Sequence, residues 1–159
     1  MREEVTALLE NRNELLTITY FKIQELFDKK YGENALVLME IGTFFEVYEV
    51  NNEKEKIGKA KEIAELLNIQ LTRKNKSILE NSKENPIMAG VPAISFEKHL
   101  ARIIAEQKYT IAIIKQKGTP PNVSRYLDVV VSPGTNFDFV VEQDDNFITS
   151  IVIDQIRGN

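Results

Sequence analysis

Residues 35–50 read Ala-Leu-Val-Leu-Met-Glu-Ile-Gly-Thr-Phe-Phe-Glu-Val-Tyr-Glu-Val, and their pattern decides the fold. Ala35 to Ile41 is aliphatic apart from Glu40, which predicts a strand covered on both faces. Gly42-Thr43 then supplies a two-residue turn, with glycine at the first central position as a type II′ hairpin requires. The returning strand, Phe44 to Val50, places Phe44, Glu46 and Tyr48 on one face and Phe45 and Val47 on the other. An aromatic ring and a carboxylate therefore project together, a flat surface for stacking beside a hydrogen-bond acceptor. The same alternation also describes an ordinary half-buried strand whose Glu46 is only its solvated residue.

Outward from this hairpin the chain alternates helix and strand. Val5, Leu8, Leu9 and Leu16 recur at helical spacing, and Tyr20, Ile23 and Phe27 predict a second helix from Thr19 to Lys30. Lys29 and Lys30 sit in its last turn and Gly32 caps it. After Asn51-Asn52, the residues Ile57, Ala60, Ile63, Ala64 and Leu67 form one apolar stripe, read as a helix. Ile69 to Thr72 is strand-like and leads into Arg73-Lys74-Asn75-Lys76, the densest basic cluster. Residues 77–85 read as an exposed, mobile loop, and the two prolines of 86–92 argue against regular structure there.

Ser95 is placed to cap a helix with Phe96, Leu100, Ile103 and Ile104 on its inner face; Lys98 stands where a capping box would have Glu or Gln, and His99 falls off the stripe as a surface residue. Strands follow at Tyr109 to Ile114 and Tyr126 to Val131, separated by the loop 118–122, with a turn at Pro133-Gly134 and a last apolar run, Phe147 to Ile153. Helices and strands in this order, with one hairpin, predict a single α/β domain whose mixed sheet is flanked by helices.

The chain has 159 residues, no cysteine, one histidine and a net charge of −4. That length suffices for one core without staples, and the missing thiolates and lone histidine disfavour a disulfide framework or a zinc site. A negative total works against non-specific binding to a polyanion, leaving that task to local patches. Gly58-Lys59-Ala60 lacks both the earlier glycine and the hydroxyl of a phosphate-binding loop, and no dinucleotide fingerprint or nucleophile elbow is present. Glu40, Glu46 and Glu49 are close enough in sequence to suggest a metal-dependent nuclease, but Glu40 and Glu46 flank a turn and no lysine accompanies them in the strand. No signal peptide or bilayer-spanning run is seen, so a soluble, cytoplasmic chain without membrane contact is expected.

The order GTFFEVYE (42–49), LTRK (71–74), PIMAGVP (86–92), FEKHLARII (96–104) and VVVSPGT (129–135) resembles the N-terminal mismatch-recognition domain, domain I, of the MutS family of DNA mismatch repair proteins. The resemblance spans roughly Leu15 to Thr135 in the family's order, and the family's fold is an α/β domain with a mixed sheet. It implies three regions: a helical extension over 1–14, the recognition domain over 15–140, and over 141–159 a linker with the first strand of a truncated connector domain.

The resemblance further implies that Phe44 wedges into the minor groove and stacks on a mispaired or unpaired base, while Glu46 accepts a hydrogen bond from it. Such a wedge unstacks DNA most cheaply where pairing is already defective. Met88 matches a family position near the kinked groove, and Gly90 allows close backbone approach. Arg73, Lys74 and Lys76 fit phosphate contacts, and Arg125 matches a basic residue of a later strand.

The implied partner is double-stranded DNA with mismatches or small loops, in a nucleoid-associated, prokaryotic setting. No cofactor belongs to this stretch; ATP and magnesium, the dimer partner and downstream repair factors belong to other domains of the full-length family protein, and this fragment is not itself an enzyme. Three departures mark a divergent branch: Glu40-Ile41-Gly42-Thr43 where Arg-Met-Gly-Asp is usual, Phe45 in place of tyrosine, and Ile94 in place of histidine. A protein-interaction module that keeps the fold without the sensor is the alternative, and it would bury Phe44.

Overall fold

The computed structural model describes residues 1–133 and the backbone of 139–140. Its elements are α1 (Arg2–Glu10), α2 (Leu16–Tyr31), β1 (Ala35–Ile41), β2 (Phe44–Asn51), β3 (Lys56–Gly58), α3 (Ala60–Leu67), β4 (Thr72–Arg73), β5 (Ile87–Pro92), α4 (Phe96–Ala105), β6 (Thr110–Lys117), β7 (Ser124–Val131) and β8 (Phe139–Val140). The strands form one mixed sheet in the order β4-β5-β2-β1-β6-β7-β8, with β3 on the far end of β2. β1 and β6 run parallel and the other pairs antiparallel. The α/β fold with a mixed sheet flanked by helices is therefore as the sequence predicts.

Two apolar layers hold the sheet. On one face α3 and α4 cover Leu36, Leu38, Phe45, Val47, Ala89, Ile111 and Val129; on the other, α1 and α2 cover Val37, Met39, Tyr48, Val50, Ile114 and Leu127. Each fully buried aliphatic or aromatic side chain contributes roughly 1.5–3 kcal/mol. Residues 1–14, expected as an extension, join this core: Val5 is buried, and Arg2 donates to the carbonyls of Leu127 and Asp128 in β7.

β1 pairs with β2 only from Met39 to Ile41, so its first residues lack a strand on that side. Helix α2 supplies the missing partners. The Tyr20 hydroxyl donates to the Val37 carbonyl at 2.6 Å, Gln24 Nε2 donates to Ala35 O at 2.9 Å, and Gln24 Oε1 accepts from Val37 N at 3.2 Å. Burying a glutamine and a tyrosine hydroxyl is tolerable because each meets an otherwise unpaired backbone group.

Several expectations need correction. Ile57 lies in the short strand β3, paired opposite Val50, not in helix α3. The strand placed at Ile69 to Thr72 is only Thr72–Arg73, with Ile69 packed on the core. Residues 86–92 do form a strand, β5, in register with six residues of β2, because Pro86 precedes the strand and Pro92 ends it. The loop 77–85 is not without internal order: buried Asn85 donates to the carbonyls of Ile78 and Glu80 and accepts from Asn75 N, while Asn81 accepts from Asn51 N. Ser95 occupies the N-cap position of α4 but makes no capping bond; a 3₁₀ turn over Ala93–Ser95 turns its hydroxyl back to Pro92 O. Gly134 of the Pro133-Gly134 turn and the Phe147 to Ile153 strand lie outside the described residues.

Candidate nucleic-acid interface

Strand β2 carries the site. Its face toward α2 passes from core to solvent along three alternate residues: Tyr48 is fully buried, the Glu46 side chain is 12% exposed and Phe44 is 42% exposed. Helix α2 accounts for the gradient, since Tyr20 and Phe21 pack on the Tyr48 ring with centroids at 4.8 and 6.4 Å. Phe45, pointing the other way, is buried and stacked on Phe96 with centroids 3.6 Å apart, which anchors the strand beneath its exposed neighbour.

The turn that presents Phe44 is held by side chains from β6 and β7. Gly42 has φ +62° and Ile41 pairs with Phe44, as a two-residue hairpin with glycine first requires. Gln116 brackets this glycine, its Oε1 accepting from Gly42 N at 3.1 Å and its Nε2 donating to Gly42 O at 2.6 Å. Arg125 Nε donates to Glu40 O at 2.9 Å, and its Nη2 donates to Gln116 Oε1 at 3.3 Å. Glu40 Oε1 accepts from Gln116 N at 2.9 Å. Burial lowers the Arg125 guanidinium from its ordinary value. Glu40 and Arg125 thus brace the hairpin from below, a role that sequence spacing does not reveal.

Beside Phe44 lies an open groove of about 350 Å³, lined by Phe44, Glu46, Gln70, Thr72, Arg73, Lys76, Met88 and Gly90. Cross-strand register explains the gathering: Glu46 faces Gly90 and Tyr48 faces Met88, which in turn faces Thr72. At Gly90 an added Cβ would lie 3.3 Å from Phe45 O, 3.5 Å from Glu46 Cγ and 3.6 Å from Phe44 Cδ2. The missing side chain keeps the groove floor open between ring and carboxylate.

Six of the eight residues singled out from the sequence therefore line this groove, Lys74 reaches Glu46 beside it, and Arg125 stands one layer behind. Met88 is half-buried, packing partly on the α2 layer while still reaching the groove.

The cations differ in their engagement. Arg73 Nη1 donates to the carbonyls of Ile78 and Leu79 at 3.2 and 2.8 Å, closing its own loop. Lys74 Nζ lies 3.5 Å from Glu46 Oε1, 3.2 Å from the Tyr48 hydroxyl oxygen and 5.5 Å from the centre of that ring. Exposed Lys76 lines the groove with no hydrogen bond or ion pair among the described residues. The Tyr48 hydroxyl donates to Glu46 Oε1, and burial together with that carboxylate pushes its pKa up, keeping the phenol a donor. Tyr48 and Gln116 are the functional neighbours that sequence reasoning missed, although Tyr48 sits on the face and at the spacing that would bring it to Glu46.

The three carboxylates considered for a nuclease separate. Glu46 faces the groove, Glu40 supports β6, and buried Glu49 accepts from Lys61 N at the start of α3. Among the described residues no group of three or more His, Cys, Asp or Glu could hold a metal ion. Among them, too, no helix is long and apolar enough to cross a membrane.

Known proteins carry the same arrangement of sequence. A family model described as MutS domain I matches residues 20–140. A mutS homolog of Acanthamoeba polyphaga mimivirus, named for DNA mismatch repair, is 31% identical over 147 residues, covering 92% of this chain and 13% of the relative. The DNA mismatch repair protein MutS of Lactococcus lactis subsp. lactis is 29% identical over 135 residues, covering 81% of this chain and 14% of the relative. The chain thus spans about one seventh or less of the length of these relatives.

Proposed function

This chain belongs to the MutS family through its domain I, and from that premise we propose that it is the surface on which a mismatch-repair protein reads defective duplex DNA. Phe44 inserts from the minor groove and stacks on a mispaired or unpaired base, and Glu46 accepts a hydrogen bond from that base. Stacking suits a sensor of varied lesions because every base offers a π-face. Lys76, Lys74 and Arg73 line the approach to the groove and supply phosphate contacts that fix position without reading sequence. Met88 and Gly90 form the floor. Arg125 acts through the hairpin it braces.

One observation carries this reading: a phenylalanine 42% exposed at the tip of a braced hairpin, while the other phenylalanines among residues 1–133, Phe21, Phe27, Phe45 and Phe96, are buried. The protein-interaction alternative called for a covered ring, so the exposure of Phe44 favours DNA. ATP, magnesium, the dimer partner and downstream repair factors are assigned within this proposal to other parts of the longer family protein, and the cytoplasmic, nucleoid-associated setting follows from duplex DNA as ligand.

The test is fluorescence anisotropy of this chain with a matched duplex and with one bearing a single unpaired thymidine, at one low, fixed salt concentration. Wild type should bind both weakly and prefer the defective duplex. Phe44→Ala should reduce that preference roughly tenfold or more, as loss of about 1–3 kcal/mol of base stacking implies. Equal preference in wild type and variant would exclude the wedge.

A further inference from the structure

We infer that Tyr48 and Lys74 are positioning residues that commit Glu46 to accept through a single oxygen, so that the site selects bases presenting an N–H. This rests on the proposed reading of Phe44 and Glu46 as the base-contacting pair. Both donors converge on the same atom: the Tyr48 hydroxyl donates to Oε1, and Lys74 Nζ lies 3.5 Å from it. No hydrogen bond among the described residues runs to Oε2, although the side chain is 12% exposed and lines the groove beside Phe44. Lys74 also donates to the Tyr48 oxygen at 3.2 Å, so lysine, phenol and carboxylate form one closed triangle.

The geometry has chemical consequences. A carboxylate free to rotate would offer either oxygen and settle anywhere on the groove wall. Here Tyr48 is immobilised by the aromatic packing of Tyr20 and Phe21, and its hydroxyl transmits that fixed position to Oε1. The remaining oxygen carries no hydrogen bond among the described residues and belongs to a side chain that lines the groove. An ionised carboxylate is acceptor-only, so the partner must be a donor: the imino N–H of thymine or guanine, or an exocyclic amino group. A base edge carrying only acceptors at that point would face a negative oxygen and be disfavoured. The Lys74 ammonium, 3.5 Å from Oε1, lowers the repulsion that a lone carboxylate would exert on nearby phosphates.

The experiment compares two duplexes differing in one unpaired residue, thymidine or its difluorotoluene isostere, which keeps the shape and has no N–H. Binding is followed by anisotropy and by amide chemical-shift titration up to millimolar protein at low salt. Wild type should prefer thymidine by about tenfold, the value of one hydrogen bond to a charged group. Tyr48→Phe should reduce the thymidine preference severalfold while leaving binding to the isostere unchanged; Lys74→Met should weaken binding to both duplexes by its lost phosphate contact and, beyond that common loss, reduce the ratio of thymidine to isostere binding severalfold. Lys74→Arg, which keeps the cation, should restore it.

Loss of binding to both duplexes in equal proportion, with the thymidine-to-isostere ratio unchanged, would mean a merely structural role for Tyr48 and a phosphate contact alone for Lys74, and would overturn the inference. So would an undiminished thymidine preference in Tyr48→Phe and Lys74→Met. If Phe44→Ala leaves preference for the defective duplex intact, or wild type binds no duplex, the proposed function fails first, which separates the two failures.

Discussion

Replacing Gly90 by alanine tests the groove through its floor while leaving Phe44, Glu46 and the cations in place. The added methyl would meet Phe45 O at 3.3 Å, tighter than ordinary contact, and Glu46 Cγ and Phe44 Cδ2 at 3.5 and 3.6 Å, which are ordinary separations. Gly90 does not require the positive φ that would make alanine strained. Lower entropy of the unfolded chain favours the variant by about 0.4–1 kcal/mol, and crowding against one carbonyl opposes it by a similar ~0.5–1 kcal/mol. Stability should therefore stay within about 1 kcal/mol of wild type, a few degrees in Tm.

Recognition should suffer more, because the methyl stands between ring and carboxylate where a base edge would enter. Displacing the base by about 0.5–1 Å forfeits roughly a quarter to a half of each dispersion contact and lengthens the bond to Glu46. The combined loss is about 1–2 kcal/mol, or roughly tenfold in preference for defective over matched duplex. Anisotropy measures the ratio and thermal melting the stability. Unchanged preference in Gly90→Ala would refute the groove as the base-binding site, whereas lost preference accompanied by a collapse of Tm would refute the claim that Gly90 serves recognition more than folding.

Other outcomes follow from single features. Gly58→Ala should destabilise by about 3 kcal/mol or more, since φ is +89° and a Cβ would fall 2.1 Å from the Tyr48 carbonyl; denaturant titration measures it. Gln116→Ala removes both bonds to Gly42, and hydrogen exchange at the Gly42 amide should accelerate by roughly tenfold, the equivalent of one lost hydrogen bond, with slower amides of β1 unaffected. Burial raises the pKa of Asp28, against the opposing hydrogen bond from Gln24. The native carboxyl thus holds its proton more tightly than the unfolded chain does, and stability falls as pH rises from the ordinary carboxylate range through the raised value. Asp28→Asn should flatten that part of a Tm-against-pH curve and raise Tm at neutrality.

The elements legible in the sequence were those with long, consistent periods. Helix α2, strand β1 and the hairpin at Gly42 each have a period and a punctuating glycine; the strand and the hairpin stand where the sequence places them, and α2 starts three residues earlier, at Leu16, whose spacing also fits the helix before it. Strand β5 was missed because two prolines were weighed as breakers without regard to position; at the ends of the strand neither interrupts the ladder to β2. β3 was missed because three residues show no period, and Ile57 happened to extend the stripe of α3. The loop over 77–85 has little apolar content, which reads as lack of order, yet asparagine side chains supply the backbone partners that a strand would otherwise provide. At the site, the face shared by Phe44, Glu46 and Tyr48 followed from alternation. Which of the three is buried depends on where α2 crosses the sheet, and no local pattern encodes that.

That crossing is what the proposed sensor depends on. A stacking residue has opposing needs: the ring must reach solvent, yet its backbone must not yield when pressed between bases, because a soft mount would give way before the duplex unstacks. β2 meets both needs with one run of residues. Tyr48 is clamped by α2, Phe45 is stacked on α4 from the opposite face, and Gln116 and Arg125 secure the turn, so fixed points surround a ring that itself remains 42% exposed. Glu40, an acid where a basic residue is usual in the family, fits this division of labour. Its carboxylate accepts from the Gln116 backbone and its main-chain carbonyl from Arg125, so this acid serves the mount while Glu46 and Lys76 line the groove.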